Sequence, residues 1–200
     1  MATVKGKPAG YFEKVLAVDS ETSGLKFNAD DPSEGFQSIA WGFIVADAHT
    51  LKPIEELYVE IKWDGVSGWQ SGAQKAHGLS KEYLEENGMT NEEAVMAIGT
   101  LITKYFADGK ICLLGHNVVS FDIWFLKRLF RQFDIELKFG ARHVDTNSVG
   151  FVNWETFNSD DLFEEIGFDQ RGNHNALEDA RMALEAARVS RLLFQTMLEE

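Results

Sequence analysis

The chain has 200 residues, 44% of them apolar and 26% charged, with a net charge of −13. These are the proportions of one globular domain with a real core, and the acidity argues against a protein that grips long duplex DNA through a broad basic face. A lone cysteine, Cys112, rules out an intrachain disulfide, Met1 to Gly10 has no apolar signal core, and no stretch nears the about 18 apolar residues of a membrane span; a cytoplasmic single domain over 1–200 with no membrane partner is expected.

The first element predicted is a strand. Val15 to Val18 is a near-continuous apolar run, the pattern of a strand buried on both faces. It leads into Asp19 and Glu21, spaced i, i+2 and therefore on one side of the strand. Two such carboxylates repel each other. They are either a seat for a divalent cation, which takes oxygen ligands, or two solvated surface acids. Lys26 to Gly35 reads as a polar loop. Ser38 to Ala46 reads as a second strand, Asp47 to Pro53 as a turn, and Ile54 to Trp63 as a half-buried third strand with Leu57, Val59 and Ile61 on one face. Short turns between these three imply an antiparallel meander.

After a loop over Gly65 to Gly72, a short helix is expected to include Gln74 to His77. Thr90-Asn-Glu-Glu93 is a capping box. It opens a helix with Ala94, Ile98, Leu101, Ile102 and Phe106 on one face, ended by Gly109. Ile111 to Leu114 is short and wholly apolar, so a buried fourth strand parallel to the first. Gly115-His116-Asn117 follows, then a helix from about Ser120 to Phe133 with Phe121, Trp124, Phe125, Leu129 and Phe133 facing the core. His143 to Thr146 reads as a short fifth strand, Ser159 to Ile166 as a short helix, and Asp169 to His174 as a polar loop. Asn175-Ala-Leu-Glu178 caps a final helix running almost to Glu200, with Leu177, Ala180, Leu184, Ala187, Val189, Leu192 and Met197 apolar. Gly150 to Asp169 carries no recognisable motif, and no repeat or low-complexity linker divides the chain. The expected fold is α/β, a mixed sheet of three antiparallel strands then parallel ones, flanked by helices.

Polar residues collect at three element ends: Asp19/Glu21, then Gly115-His116-Asn117 with Asp122, then His174 with Asp179. Taken singly, each has a structural explanation. A first-turn Asp suits the helix dipole, and a His before a helix suits the surface. Asp179 is the odd one, since it sits beside Ala180 and points toward the sheet rather than toward water.

Taken in order, D-x-E, G-H-N-x-x-x-F-D and H-x-x-x-x-D resemble the DEDDh (DnaQ-like) branch of the 3′–5′ exonucleases, of ribonuclease-H-like fold. The likeness runs from about Val15 to Ala187, within a core of about residues 14–190. It includes the D-x-E-T-x-G-L form at Asp19 to Leu25 and an H-G-[IL]-[ST] segment at His77 to Ser80. The resemblance implies a phosphodiester hydrolase with two divalent cations, Mg²⁺ or Mn²⁺, roughly 3.5–4 Å apart. Asp19, Glu21, Asp122 and Asp179 would be the ligands, Asp19 bridging and Asp122 acting partly through water. His174 would be the general base. Thr22, Gly24 and Leu25 would seat the terminal nucleotide, with Gly24 permitting close approach and Leu25 wedging against the last base. Asn117, Phe121 and His77 match weaker positions in the same groove, each equally explained by packing. Ser20 occupies a variable place and carries no information. Lys127, Arg128, Arg131, Lys138 and Arg142 form a basic cluster that either leads a single strand toward the metals or is a solvated helix face. The implied partner is a single-stranded nucleic acid 3′ end, DNA in preference to short RNA. The rival from another class is a silent binding module of the same fold, which would be expected to have lost one of the five catalytic residues.

Overall fold

The computed structural model describes residues 12–26, 35–107, 109–169 and 172–197. Met1 to Gly10, residues 27–34 of the expected loop after the first strand, residues 170–171 of the loop before His174, and the last three residues lie outside the described residues.

The apolar run at the start becomes β1 (Lys14–Thr22), the middle strand of a five-stranded sheet of order β3-β2-β1-β4-β5. β2 (Ser38–Asp47) and β3 (Pro53–Glu60) form the antiparallel meander, with β2 antiparallel to β1. β4 (Leu113–Gly115) and β5 (Val144–Asp145) add in parallel on the other side. This is the mixed, ribonuclease-H-like sheet expected. β1 is apolar because both its faces are covered: Leu16, Ala17 and Val18 are fully buried. Alternation sends Leu16 and Val18 into one core, and Val15 and Ala17 into the other.

The first core is closed by α3 (Asn91–Phe106), which begins at the capping box of Thr90 and Glu93 and buries Ala94, Ile98, Leu101, Ile102 and Phe106. It shares that face with α4 (Asp122–Arg131). The second core is closed by α7 (Ala176–Met197) and α6 (Ser159–Glu165). Three short helices complete the described chain: α1 (Ser71–His77), α2 (Lys81–Asn87) and α5 (Thr146–Trp154).

The differences from the sequence expectation have physical causes. α4 starts two residues late and buries Ile123, Phe125, Leu126, Leu129 and Phe130, whereas Trp124 and Phe133 are exposed. Its phase is set by Asp122, which must face inward, not by the largest rings. α7 leaves the sheet after Ala187, so Leu192 is exposed and Val189 only half-buried. α2 and α5 were not expected, because α2 buries only Leu84 and α5 only Thr146 and Gly150, leaving no apolar stripe to read. Ile111 joins Phe139 in an isolated bridge ahead of β4, and Thr146 opens α5 instead of ending β5.

Gly42 of β2 sets the height of α7 above the sheet. A Cβ there would lie 2.3 Å from both the Ala176 carbonyl oxygen and the Leu177 nitrogen, which are backbone atoms that cannot swing aside. Gly42→Ala should therefore destabilise the fold by about 1–3 kcal/mol, as overpacking does. Gly99→Ala, where the nearest neighbour is a Phe130 ring carbon at 3.7 Å in mid-α3, should be neutral or stabilising by up to about 1 kcal/mol. Urea unfolding of the two variants checks the contrast, and equal stabilities would refute it.

Candidate active site

β1 delivers its polar end to both faces of the sheet. Asp19 and Glu21 continue the face of Val15 and Ala17, toward α7, and Ser20 continues the opposite face, toward α4. Asp19 is half-buried and Glu21 is buried. Asp19 pairs across the ladder with Gly42, so the residue under the first turn of α7 is the neighbour of the first carboxylate.

α7 brings the second set. The Asn175 side chain accepts from the Leu177 and Glu178 N–H groups, which caps the helix and fixes its first turn. Asp179 follows one turn in, buried against the sheet. His174 stands just before the cap, with Nδ1 3.6 Å from an Asp179 carboxylate oxygen and its side chain about a third exposed.

The third set comes from the β4–α4 connection. Asn117 takes a left-handed conformation at φ 61°, and its N–H donates to the Asp145 carboxylate at 2.9 Å. The Thr146 hydroxyl donates to the Gly115 carbonyl at 3.2 Å and sits 3.3 Å from His116 Nδ1, while His116 Nε2 meets the Phe157 carbonyl at 3.0 Å. The clamp fixes where α4 begins, and so where Asp122 points. Ser20 Oγ then donates to Asp122 Oδ1 at 2.6 Å, tying α4 to β1 across the first core.

These elements surround a pocket of about 250 Å³, lined by Asp19, Ser20, Glu21, Asp122, His174 and Asp179 together with Leu25, His116, Asn117, Phe121, Ser159 and Phe163. All five residues of the three motifs thus meet at one place. Of the six expected nucleotide contacts, Leu25, Asn117 and Phe121 line the pocket. Thr22, Gly24 and His77 do not. The Thr22 hydroxyl donates to the Gly24 carbonyl, and the Phe36 ring packs where a Gly24 side chain would be. Sequence reasoning missed Ser20, whose role depends on the opposite sheet face. It also missed Ser159 and Phe163, which come from the stretch without a motif, and Asp145, which holds the Asn117 turn and whose charge also bears on Asp122.

His77 lies buried behind the His174 loop. Its Nδ1 accepts from the Leu79 N–H at 3.0 Å, and burial, with His174 nearby, holds its pKa below the ordinary imidazole value. The helix it ends, α1, links two parts of the site. At its start Gln70 N–H donates to the Ser23 carbonyl, and at its end the Ala76 carbonyl accepts from the His174 N–H at 2.9 Å. Gly78, at φ 75°, packs against Asn173, where a Cβ would meet the side chain at 2.5 Å.

The donor set suits a hard divalent cation. Glu21, His174 and Asp179 each offer a ligand atom within 4.8 Å of one another, and Asp19 and Asp122 add carboxylates to the same pocket.

Comparison with known proteins follows from this geometry. The RNase T family model, described as an exonuclease, matches residues 16–187. The 3′-5′ DNA exonuclease Cap18 of Escherichia coli is 26% identical over 189 residues, covering 88% of this chain and 91% of that protein. The PolC-type DNA polymerase III of Thermotoga petrophila is 27% identical over 171 residues, covering 84% of this chain but 11% of the polymerase. Among solved structures, E. coli exonuclease I in complex with a 5cy-dT13 oligonucleotide superposes with a TM-score of 0.69 at 18% identity, over 90% of this chain and 41% of that one. The zinc-bound form of the E. coli exonuclease I complex with single-stranded DNA gives 0.72 at 18% identity, again over 90% and 41%. The chain therefore spans about two fifths of exonuclease I, and that likeness is one of fold. No helix among the described residues is long and apolar enough to cross a membrane.

Burial pushes the Asp122 carboxyl up to about 7, against the pull of its hydrogen bond from Ser20. From the ordinary carboxylate range up to about pH 7, the unfolded chain therefore releases a proton that the folded chain keeps. The metal-free protein should lose stability as pH rises through that window. In EDTA the Tm of the wild type should fall between about pH 5 and about pH 8, and Asp122→Asn should fall less, so that its advantage grows with pH. An Asp122→Asn difference that is the same at both ends would exclude this account.

Proposed function

This chain belongs to the RNase T exonuclease family, and from that premise we propose that it is a divalent-cation-dependent 3′–5′ exonuclease that releases 5′-mononucleotides from single-stranded DNA ends. The observation that carries the reading is the convergence of Asp19, Glu21, Asp122, His174 and Asp179, far apart in sequence, on one small pocket. A silent binding module would have no need to keep four carboxylates and a histidine together at a cost in burial. DNA is favoured because a relative matched over nearly its whole length bears the name 3′-5′ DNA exonuclease.

Asp19, Glu21, Asp122 and Asp179 would hold the cations. Such ions, when bound, lower the pKa of water and stabilise charge on a leaving oxygen. The chain itself does the rest. His174, whose Nδ1 stands 3.6 Å from an Asp179 carboxylate oxygen, accepts the proton of the attacking water. Ser20 holds the Asp122 carboxylate by its hydrogen bond and fixes its direction. Exposed Leu25 and the ring of Phe121 offer apolar surface to the terminal base, and the small pocket selects an end over the middle of a strand.

Labelled single-stranded DNA, duplex DNA and short RNA, compared with Mg²⁺ or Mn²⁺, test this directly. Single-stranded DNA should be shortened fastest from its 3′ end to 5′-mononucleotides, a 3′-phosphate should slow the reaction severely, and EDTA or Asp19→Ala should abolish it. Cleavage of circular single strands would sink the exonuclease assignment, and faster loss of RNA would make the enzyme an exoribonuclease.

A second test separates the roles of two adjacent residues. His174→Ala should lower the rate about 10²–10⁴-fold with cation affinity nearly unchanged, as for loss of a general base. Asp179→Ala should lose both, with excess Mn²⁺ restoring part of its rate. Cation titration by calorimetry distinguishes them: a His174→Ala protein that binds metal as weakly as Asp179→Ala would make the histidine a ligand.

A further inference from the structure

α4 presents Asp122 to the site and the opposite face to solvent. On that outer face Trp124, Lys127 and Arg131 follow one another at helical spacing. Trp124 is 43% exposed and Arg131 is exposed. The Lys127 ammonium lies 4.6 Å above the Trp124 ring and 5.4 Å from the Phe139 ring. Beside them a second pocket of about 430 Å³ is walled by Lys127, Arg131, Phe139 and His143, with Glu136 also on its wall. Arg128, the neighbouring cation, is differently engaged: it donates to the Phe36 carbonyl at 2.7 Å and the Ser67 hydroxyl at 3.1 Å, and so binds the loops together.

The row starts at the active site. Phe121 lines the catalytic pocket, and the Trp124 backbone N–H donates to the Phe121 carbonyl, so Trp124 follows one helical turn after a residue of the pocket wall. From Asp122 to Arg131 the helix rises about 14 Å, the length of about four stacked nucleotides. In a chain of net charge −13, cations interleaved with aromatic rings are complementary to a single strand, which carries phosphates and unpaired bases together.

We propose that the outer face of α4 is the track for the strand on the 5′ side of the terminal nucleotide, Lys127 and Arg131 taking phosphates and Trp124 stacking a base. This rests on the exonuclease reading and deepens it: the catalytic pocket holds the end, and α4 holds the strand behind it. The track explains how an acidic protein grips a polyanion without a broad basic face, since a few contacts near the end suffice.

The test compares the full-length wild type with Lys127→Ala/Arg131→Ala and with Trp124→Ala, each checked for an unchanged Tm. Lys52→Ala, on the turn at the far end of β2, is the control. Binding of a fluorescent 20-mer of dT is measured by anisotropy in EDTA, where no hydrolysis intervenes, and hydrolysis of the 20-mer and of a dinucleotide too short to reach Lys127 is measured with Mg²⁺. The double variant should bind the 20-mer about tenfold more weakly, and its slope of log affinity against log salt should be shallower by about 1.4, the share of two phosphates on a single strand. Trp124→Ala should weaken binding about tenfold with no change of slope. In hydrolysis the preference for the 20-mer over the dinucleotide should shrink about tenfold through KM. Unchanged affinity and slope in the double variant, or an equal loss on both substrates, would overturn the track. If the wild type hydrolyses neither substrate while the double variant still loses affinity and slope, the exonuclease reading falls and the track stands.

Discussion

Everything in this molecule is arranged around the mutual repulsion of carboxylates held where water is scarce. Glu21, Asp122 and Asp179 are buried and Asp19 half-buried, all at the end of one strand. No single element could supply them. A strand can aim alternate residues to one side, which accounts for Asp19 and Glu21, but a third and fourth acid must come from elsewhere in the chain. The sheet solves this by being covered on both faces. α7 brings Asp179 from one side and α4 brings Asp122 from the other, so the charge is assembled over the end of β1 and not within one segment.

Holding such a cluster demands rigid support, and the support is mostly backbone. Gly42 lets the first turn of α7 settle onto the sheet beside Asp19. The clamp of Asp145 and Thr146 on the Gly115–Asn117 turn fixes where α4 begins. α1 joins the turn after β1 to the loop of His174 through one main-chain hydrogen bond at each end. Each contact is individually modest, about 0.5–1.5 kcal/mol. Their value lies in restricting the directions in which the acids can relax.

The reach of sequence reasoning follows the range of the forces involved. β1, the capping box at Thr90 and the Asn175 cap are written in neighbouring residues, because alternation, end-capping and apolar period act over a few positions. The three motifs, each of which has a structural explanation by itself, were legible only as an ordered set that resembles a known family. Helices α2 and α5 were not, since each buries one or two residues and shows no period to detect. Trp124 misled because a large ring suggests a core position, whereas the inward face of α4 is claimed by Asp122, Phe125, Leu126 and Leu129.

By itself, then, the sequence determined the central strand, the antiparallel meander and the main helices, all properties of local pattern, and singled out the five motif residues through the family that their order resembles. Tertiary structure alone decided what those residues do to one another. Ser20, uninformative in its own segment, becomes the partner of Asp122 only because two elements 102 positions apart meet across a core. His77, Thr22 and Gly24 stand outside the lining of the pocket, beside Trp69, Phe36 and the loop of His174, which are their neighbours only in space. The raised Asp122 carboxyl likewise has no counterpart in the sequence: desolvation depends on every atom packed around a group, and packing is settled only when the whole chain has folded.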